Sequence, residues 1–393
     1  MGKWKLFKAS EIIEFNPHET IKKGVISKKI SMERLQPFSR DVFGFENVPF
    51  TNGTKFRNGD TLMARITPCL ENGKIAQMSL LNENEVGFGS TEYIIGRAKK
   101  GISDSNYVYY LMCSSIIRDI AIKSMVGSSG RQRVQLDVVK NIELSVPTLD
   151  EQIEIGKMLK VLDDKIENNR KINHHLEQMA QAIFKSWFID FEPFGGEIPL
   201  NWKEESLTDI ANYLNGLAMQ KFQPIKNEES IPVLKIKELR QGFFDSASDK
   251  CSLNIKPQYI IYDGDVIFSW SGSLLVDFWT GGISGLNQHL FKVTSEKYKK
   301  WFYYIWTKYH LDEFIAMAAA RATTMGHIKR DALEKAKVLV PDIENHDILD
   351  KLLDPIYTKI ISNRIENRKL IEVRDALLPK LMSGEISLSQ TTK

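Results

Sequence analysis

The sequence predicts an α+β chain: two tandem α/β domains, related by a pseudo-twofold, separated by two long helices packed as an antiparallel coiled coil. Three observations predict it. Landmark residues recur in order at one long offset, two segments share a heptad pattern, and polar residues break both heptad seams at matching places.

The repeat comes first. Tyr109-Tyr110, Asp137, Val146-Pro147, Lys165-Ile166 and Asn169-Arg170 recur 194 residues later as Tyr303-Tyr304, Asp331, Val340-Pro341, Lys359-Ile360 and Asn363-Arg364. Upstream the register drifts, as loop insertions would make it, but the order of landmarks holds. Trp4-Lys5 matches Trp202-Lys203, and Asn58-Gly59-Asp60 matches Asp263-Gly264-Asp265. An ordered series at one offset marks duplication of a whole structural unit. The length of 393 residues agrees, since one domain usually takes about 100–200 residues.

Each copy opens with short strand-like runs and turns. Thr61–Ala64 and Val266–Ser269 both follow Gly-Asp and read as buried strands after a tight turn. Each copy then closes with a strand-like run ended by proline, Ile142–Pro147 and Ala336–Pro341, before a helix. Thr148-Leu149-Asp150-Glu151 has the capping-box form that satisfies free amides at a helix start. The second copy offers Asp342 and Asn345 at those places, a weaker version.

The seam of the first helix runs through Ile155, Leu159, Leu162, Ile166, Asn169, Asn173, Leu176, Ala180, Ile183 and Trp187. That of the second runs through Leu349, Leu353, Ile356, Ile360, Asn363, Asn367, Leu370, Arg374, Leu377 and Leu381. Alternating steps of four and three make a coiled-coil seam rather than a broad globular face. Antiparallel packing about the middle of each seam sets Asn169 against Asn367 and Asn173 against Asn363. The four amides then fix the register.

Composition excludes several classes. Hydrophobic and charged contents of 42% and 26% are ordinary for a globular protein. No apolar run approaches the roughly 18–20 residues of a membrane span, and the first residues lack a signal-peptide core. Leu6 stands where a myristoylation motif needs Ser or Thr. Cys69, Cys113 and Cys251 make neither a zinc spacing nor a disulfide framework, so a reducing cytoplasm is the expected location. Residues 1–150 carry 21 Lys and Arg against 16 Asp and Glu, whereas residues 191–340 carry 18 of each. That is a modest surplus for a chain gripping nucleic acid alone.

Catalytic motifs are not found. Asn16-Pro17-His18 and Glu192-Pro193-Phe194 do not make the Asn/Asp-Pro-Pro-aromatic loop of an amino-methyltransferase. Gly73-Lys74-Ile75 is too little for a phosphate-binding loop. Asp60 with Glu71 and Lys74 loosely imitates a nuclease site, but its copy at Asp265 has no matching Glu and Lys. His174-His175 reads as a solvated helix face rather than a metal site. The aromatic run Trp301–Trp306 reads as a core helix more than a base-stacking surface, because its counterpart is Tyr107–Leu111. No catalytic or metal-binding residue is therefore assigned.

Two loops at the same place in the repeat carry cations and amides among small residues. The first holds Ser128, Ser129, Arg131, Gln132, Arg133 and Gln135; the second holds Arg321, Thr323, Thr324, His327, Lys329 and Arg330. Arg and Gln pair bidentately with guanine and adenine edges, while Lys and backbone amides suit phosphates. Together with Arg65 and Lys74 these are the candidate DNA contacts.

Four segments resemble the specificity (S) subunits of type I restriction-modification systems. They are Pro147–Ile153, Ala182–Pro193, Ile198–Trp202 and Arg374–Ile386. Asn345-His346 departs from the Glu-Gln that the family often repeats there. The resemblance implies target-recognition domains at residues 1–147 and 191–341, each reading half of an asymmetric bipartite DNA site. It implies a central spacer helix at 148–190, a distal one at 342–386 and a disordered tail at 387–393. The helices would set the gap and dock two methyltransferase (M) subunits. Also implied are restriction/translocase (R) subunits, with S-adenosylmethionine, ATP and magnesium in those partners and no cofactor in this chain. The site-specific endonuclease and adenine-N6 methyltransferase activities would belong to the complex. A specificity chain of a methylation-only complex is the near alternative. A coiled-coil scaffold whose domains bind proteins is the alternative from another class.

Overall fold

The computed structural model describes residues 4–226, 228–320, 328 and 330–387. It divides into two compact units. Unit 1 is Met1–Glu167 with Lys369–Lys393, and unit 2 is Asn168–Arg368. The first long helix runs unbroken over Leu149–Phe188 and the second over Ile343–Ser383. Each unit thus holds one globular domain and half of each helix, because each half-helix shares a core with that domain.

The two domains repeat strand for strand. In unit 1 one sheet has the order Ile13–Phe15, Tyr93–Ala98, Thr61–Ala64, Ile75–Gln77. Its counterpart in unit 2 is Asn212–Asn215, Leu290–Thr294, Val266–Ser269, Leu275–Phe278. A second sheet contains one parallel pairing in each unit, Ile26–Ile30 with Gly87–Gly89 and Ser230–Leu234 with Ser284–Leu286. A two-stranded ribbon joins the domain's start to the strand before the long helix, Lys5–Lys8 to Glu143–Val146 and Lys203–Ser206 to Lys337–Val340.

The Gly-Asp turns behave as the sequence predicts. Gly59 and Gly264 take φ of +87° and +85°, a left-handed conformation that costs glycine little. The following aspartates accept backbone N–H bonds, Asp60 from Arg57 at 2.7 Å and Asp265 from Tyr262 at 2.9 Å. Thr61–Ala64 and Val266–Ser269 then run fully buried. A strand covered on both faces reads as continuous rather than alternating hydrophobicity.

Helices Ser105–Cys113 and Lys300–Tyr309 pack beneath these sheets. Trp301–Thr307 are all buried, so the aromatic run is core, with Trp301 Nε1 donating to Asp350 at 2.6 Å. The helix caps differ from the sequence expectation. Thr148 Oγ1 accepts only a long bond, 3.4 Å, from the Glu151 amide. The Asp342 carboxylate accepts from the amides of Glu344 and Asn345 at 3.1 and 3.2 Å and from the Asn345 side chain at 2.6 Å. A charged acceptor with two oxygens, plus an amide side chain that folds back on it, makes the second cap the better satisfied.

The buried stripe of each long helix is wider than a two-helix seam. Phe184, Phe188 and Tyr357 lie off the four-three steps yet are buried, because they enter the core of unit 2 with Leu349, Leu353 and Ile360. In unit 1, Ile155, Leu159, Leu381 and Met382 join the core of its domain. Each such Leu or Phe removed from water contributes about 1.5–3 kcal/mol. Asp163 is buried too, where Tyr110 donates its hydroxyl to Oδ2 at 2.6 Å and Arg374 donates to Oδ1 at 2.7 Å. At the corresponding place in the repeat, unit 2 holds Tyr357 and Ala180 within one apolar cluster.

Candidate nucleic-acid interface

In unit 1 the candidate residues gather where the central strand leaves the sheet. Ala64 pairs with Tyr93 as the last rung of its ladder. Arg65 therefore stands one residue beyond that rung and Glu92 one residue before it, and the Arg65 amide donates to the Glu92 carbonyl at 2.8 Å. The loop after helix Ser115–Lys123 folds back onto this corner. Arg133 bridges both Ile66 and Val126, the Val134 amide donates to Arg65 O at 2.9 Å, and the Gln132 amide donates to Thr67 Oγ1 at 3.0 Å. Gly127 sits at φ +137° where a Cβ would lie 2.9 Å from the Arg131 carbonyl, so the turn of this loop needs glycine.

The structure thus brings Arg65, Gln132, Arg133 and Gln135 to one corner, with Ser128, Ser129 and Arg131 exposed on the loop that overhangs it. Gln135 Nε2 donates to Arg133 O at 3.4 Å. Lys74 is not part of this group. Its backbone flanks the sheet, but its ammonium is half-buried and donates to the Met32 carbonyl at 2.9 Å. In the second loop, Arg321, Thr323, Thr324, His327 and Lys329 lie outside the described residues. Arg330 is exposed at the start of helix Arg330–Lys335.

Sequence reasoning missed Glu92. Its carboxylate takes three bonds from Arg133: Nε at 2.9 Å to each oxygen, and Nη2 at 2.6 Å. The Arg133 hydrogen bonds hold the Glu92 carboxyl below its ordinary range. Unit 2 has different chemistry at the matching corner. Ser269 pairs with Leu290 as the last rung, so Trp270 corresponds to Arg65 and His289 to Glu92. The Ile328 amide donates to Trp270 O at 3.1 Å, as Val134 does to Arg65. His289 Nδ1 lies 3.0 Å from Ser271 Oγ, and Trp270 Nε1 donates to Asn215 at 3.1 Å. The sequence offset hides these equivalences because it differs between the strands and the helices. The signal that would find them is the strand end itself, one residue past each buried run that follows Gly-Asp.

Other sequence candidates have structural uses. Asp60 is buried and receives two bonds of 2.7 Å from Arg97, which also pairs with Glu19 at 2.8 Å. Asp265 is braced in the same way by Lys292 at 2.8 Å. His174 and His175 are exposed on their helix. Among the described residues, no three His, Cys, Asp or Glu are grouped to hold a metal ion, and no helix is long and apolar enough to cross a membrane.

The asparagines meet within unit 2. Asn169 Nδ2 donates to Asn367 Oδ1 at 2.9 Å and to Glu366 at 2.8 Å. Asn363 Nδ2 donates to Asn173 Oδ1 at 2.8 Å, and Asn173 Nδ2 reaches the Ile360 carbonyl at 3.2 Å. The two helices are therefore antiparallel in this unit. Each unit pairs one copy of the domain plan with half of each long helix. A family model described as the type I restriction modification DNA specificity domain matches residues 1–178 and again residues 199–373. The chain belongs to that family.

Among relatives of this specificity subunit, the type I restriction enzyme MjaIX specificity subunit of Methanocaldococcus jannaschii is 29% identical, over 73% of this chain and 70% of that one. The HindI specificity subunit of Haemophilus influenzae is 23% identical, over 88% and 90%. The crystal structure of the type I restriction-modification S subunit from M. genitalium shares the fold, with a TM-score of 0.56 at 14% identity, covering 97% of this chain and 96% of that one. As a DNA specificity subunit, the chain serves sequence recognition within a type I restriction-modification assembly, and specificity subunits are non-catalytic.

Proposed function

We propose that each unit reads one half of an asymmetric bipartite site in double-stranded DNA, and that the long helices set the gap between the halves. The observation that carries this reading is the repeated corner: the same strand-end rung and the same bond to the residue beyond it in both units, with Arg65 and Glu92 there in one and Trp270 and His289 in the other. A shared scaffold with unlike side chains gives two recognition surfaces that select different sequences, as an asymmetric site requires. Base edges carry the specificity, while phosphate contacts position the protein.

The same reading has the exposed flanks of the two helices dock two methyltransferase subunits, with restriction/translocase subunits joining them in the cytoplasm. S-adenosylmethionine, ATP and magnesium then serve those partners, and adenine-N6 methylation and DNA cleavage are reactions of the whole. The modest surplus of basic residues in this chain supports a division of labour in which partners supply much of the phosphate grip. The test is to exchange residues 1–147 for the matching domain of another family member and map the adenines methylated by the reconstituted complex. One half-site should change while the other half-site and the gap persist. A change in both halves together would refute one reader per unit.

A further inference from the structure

Arg133 is an arginine clamped from one side. The Glu92 carboxylate occupies its Nε and one face of Nη2, all three bonds falling between 2.6 and 2.9 Å. A guanidinium has five N–H donors in one plane, so this leaves the Nη1–Nη2 edge without a hydrogen-bond partner among the described residues. The side chain is 46% exposed, and its backbone is pinned between Ile66 and Val126. An arginine on a mobile loop would give up side-chain freedom on binding. This one is already held in a single plane, half-exposed, with two parallel donors that no described residue occupies. That is the geometry that meets guanine O6 and N7 together in the major groove.

The counterpart corner argues that the clamp is a recognition device and not a requirement of the fold. The same strand-end rung, and the same amide-to-carbonyl bond from Ile328 to Trp270, form in unit 2 with His289 in place of the carboxylate and Ser271 Oγ 3.0 Å from its ring. The fold therefore closes this corner without an Arg–Glu pair. What differs between the copies is the chemistry presented beyond the strand ends. An exposed ion pair also adds little to stability, since solvent screens it.

We propose that Arg133, positioned by Glu92, reads a guanine, so that the half-site of unit 1 contains a G·C pair at the position facing this corner. This rests on the proposed reading of DNA by unit 1. Arg133 is the specificity-determining residue, and Glu92 is a positioning residue that acts through it.

The experiment selects duplexes of random sequence with the full chain reconstituted with its methyltransferase subunits, and compares wild type with three variants. In wild type, one position of one half-site should require guanine. Arg133→Ala should lower discrimination at that position about 10- to 100-fold. The remaining positions, the gap and the other half-site should stay as they were. Arg133→Lys keeps the charge but not the planar fork, so overall affinity should survive while the guanine preference does not return. Glu92→Gln keeps the shape but not the charge, and should weaken the preference at the same position only. Arg133→Ala with an unchanged consensus, or with equal weakening on every sequence, overturns the guanine assignment and leaves DNA reading intact. Failure of wild type to select any sequence overturns both.

Discussion

Arg374 Nη1 lies 2.7 Å from Asp163 Oδ1, joining the second long helix to the first inside unit 1, with both side chains at most one-tenth exposed. The partner carboxylate oxygen is taken by Tyr110, so the acid is satisfied from both its oxygens. Burial penalises the arginine's charge, yet Asp163 and Asp375 beside it hold the guanidinium above its ordinary value. Arg374→Ala should therefore leave Asp163 buried without a counter-charge and destabilise unit 1 by about 3–5 kcal/mol. Adding Asp163→Asn should recover part of that loss, since a neutral amide needs no counter-charge and its oxygen still accepts the Tyr110 hydroxyl. Chemical unfolding of the wild type and the two variants measures both effects. A double variant no more stable than Arg374→Ala would contradict this account.

The asparagine layer makes a prediction of the opposite sign. Replacing Asn169, Asn173, Asn363 and Asn367 together by leucine should raise the thermal midpoint and loosen the choice of register. Cysteines placed at 169 and 367 in the wild-type background should crosslink in one product. In the leucine background, probes placed one heptad away should begin to crosslink as well. A single product in both would show that the amides do not select the register.

Arg131 differs from Arg133. It is exposed on the loop, and no side-chain bond holds it among the described residues. If the corner of unit 1 reads DNA as proposed, an exposed cation beside it suits a phosphate. Arg131→Ala should weaken binding on all duplexes alike and reduce the slope of log affinity against log salt by about 1. Altered base preference with an unchanged slope would instead place Arg131 in the groove.

Glu19 supplies a pH signature. Hydrogen bonds from Arg57 and Arg97 hold its carboxyl below the ordinary value of 4.5. A depressed folded value stabilises above the unfolded value, and that contribution disappears as pH falls through the folded one. The thermal midpoint of unit 1 should thus drop as the pH is taken below about 4.5. Glu19→Gln should start lower at neutral pH, decline less steeply, and converge with wild type in acid. Parallel curves would show that Glu19 does not contribute to the acid dependence.

The duplicated fold was legible in the sequence because backbone needs repeat. The Gly-Asp turns, the buried runs after them, the proline-ended strands and the asparagine pairs all stand in order in both copies. The caps were misjudged, because a capping-box pattern counts the expected acceptor but not the side chain of Asn345 that folds onto Asp342. The corner at the strand ends was half legible. A loop rich in cations and amides draws attention to Arg133, but Glu92 is 41 residues away in sequence and meets it only through the ladder that ends at Ala64 and Tyr93. Lys74 shows the converse, a cation chosen by type whose charge the fold uses internally.

The Asp163–Arg374 contact also bears on self-recognition. Because the halves of the chain are copies, the first helix of one molecule presents nearly the same seam to the first helix of another as it does to its own second helix. In that homotypic pairing the repeat would set Asp163 against Ala180, and the matching pairing of two second helices would set Arg374 against Tyr357. Each would bury a charge against a side chain that cannot neutralise it, a penalty of several kcal/mol per ion. The pairing found within the chain sets acid against base in unit 1 and leaves Ala180 and Tyr357 to an apolar cluster in unit 2. One buried ion pair would thus disfavour the pairing of two first helices relative to the pairing within the chain.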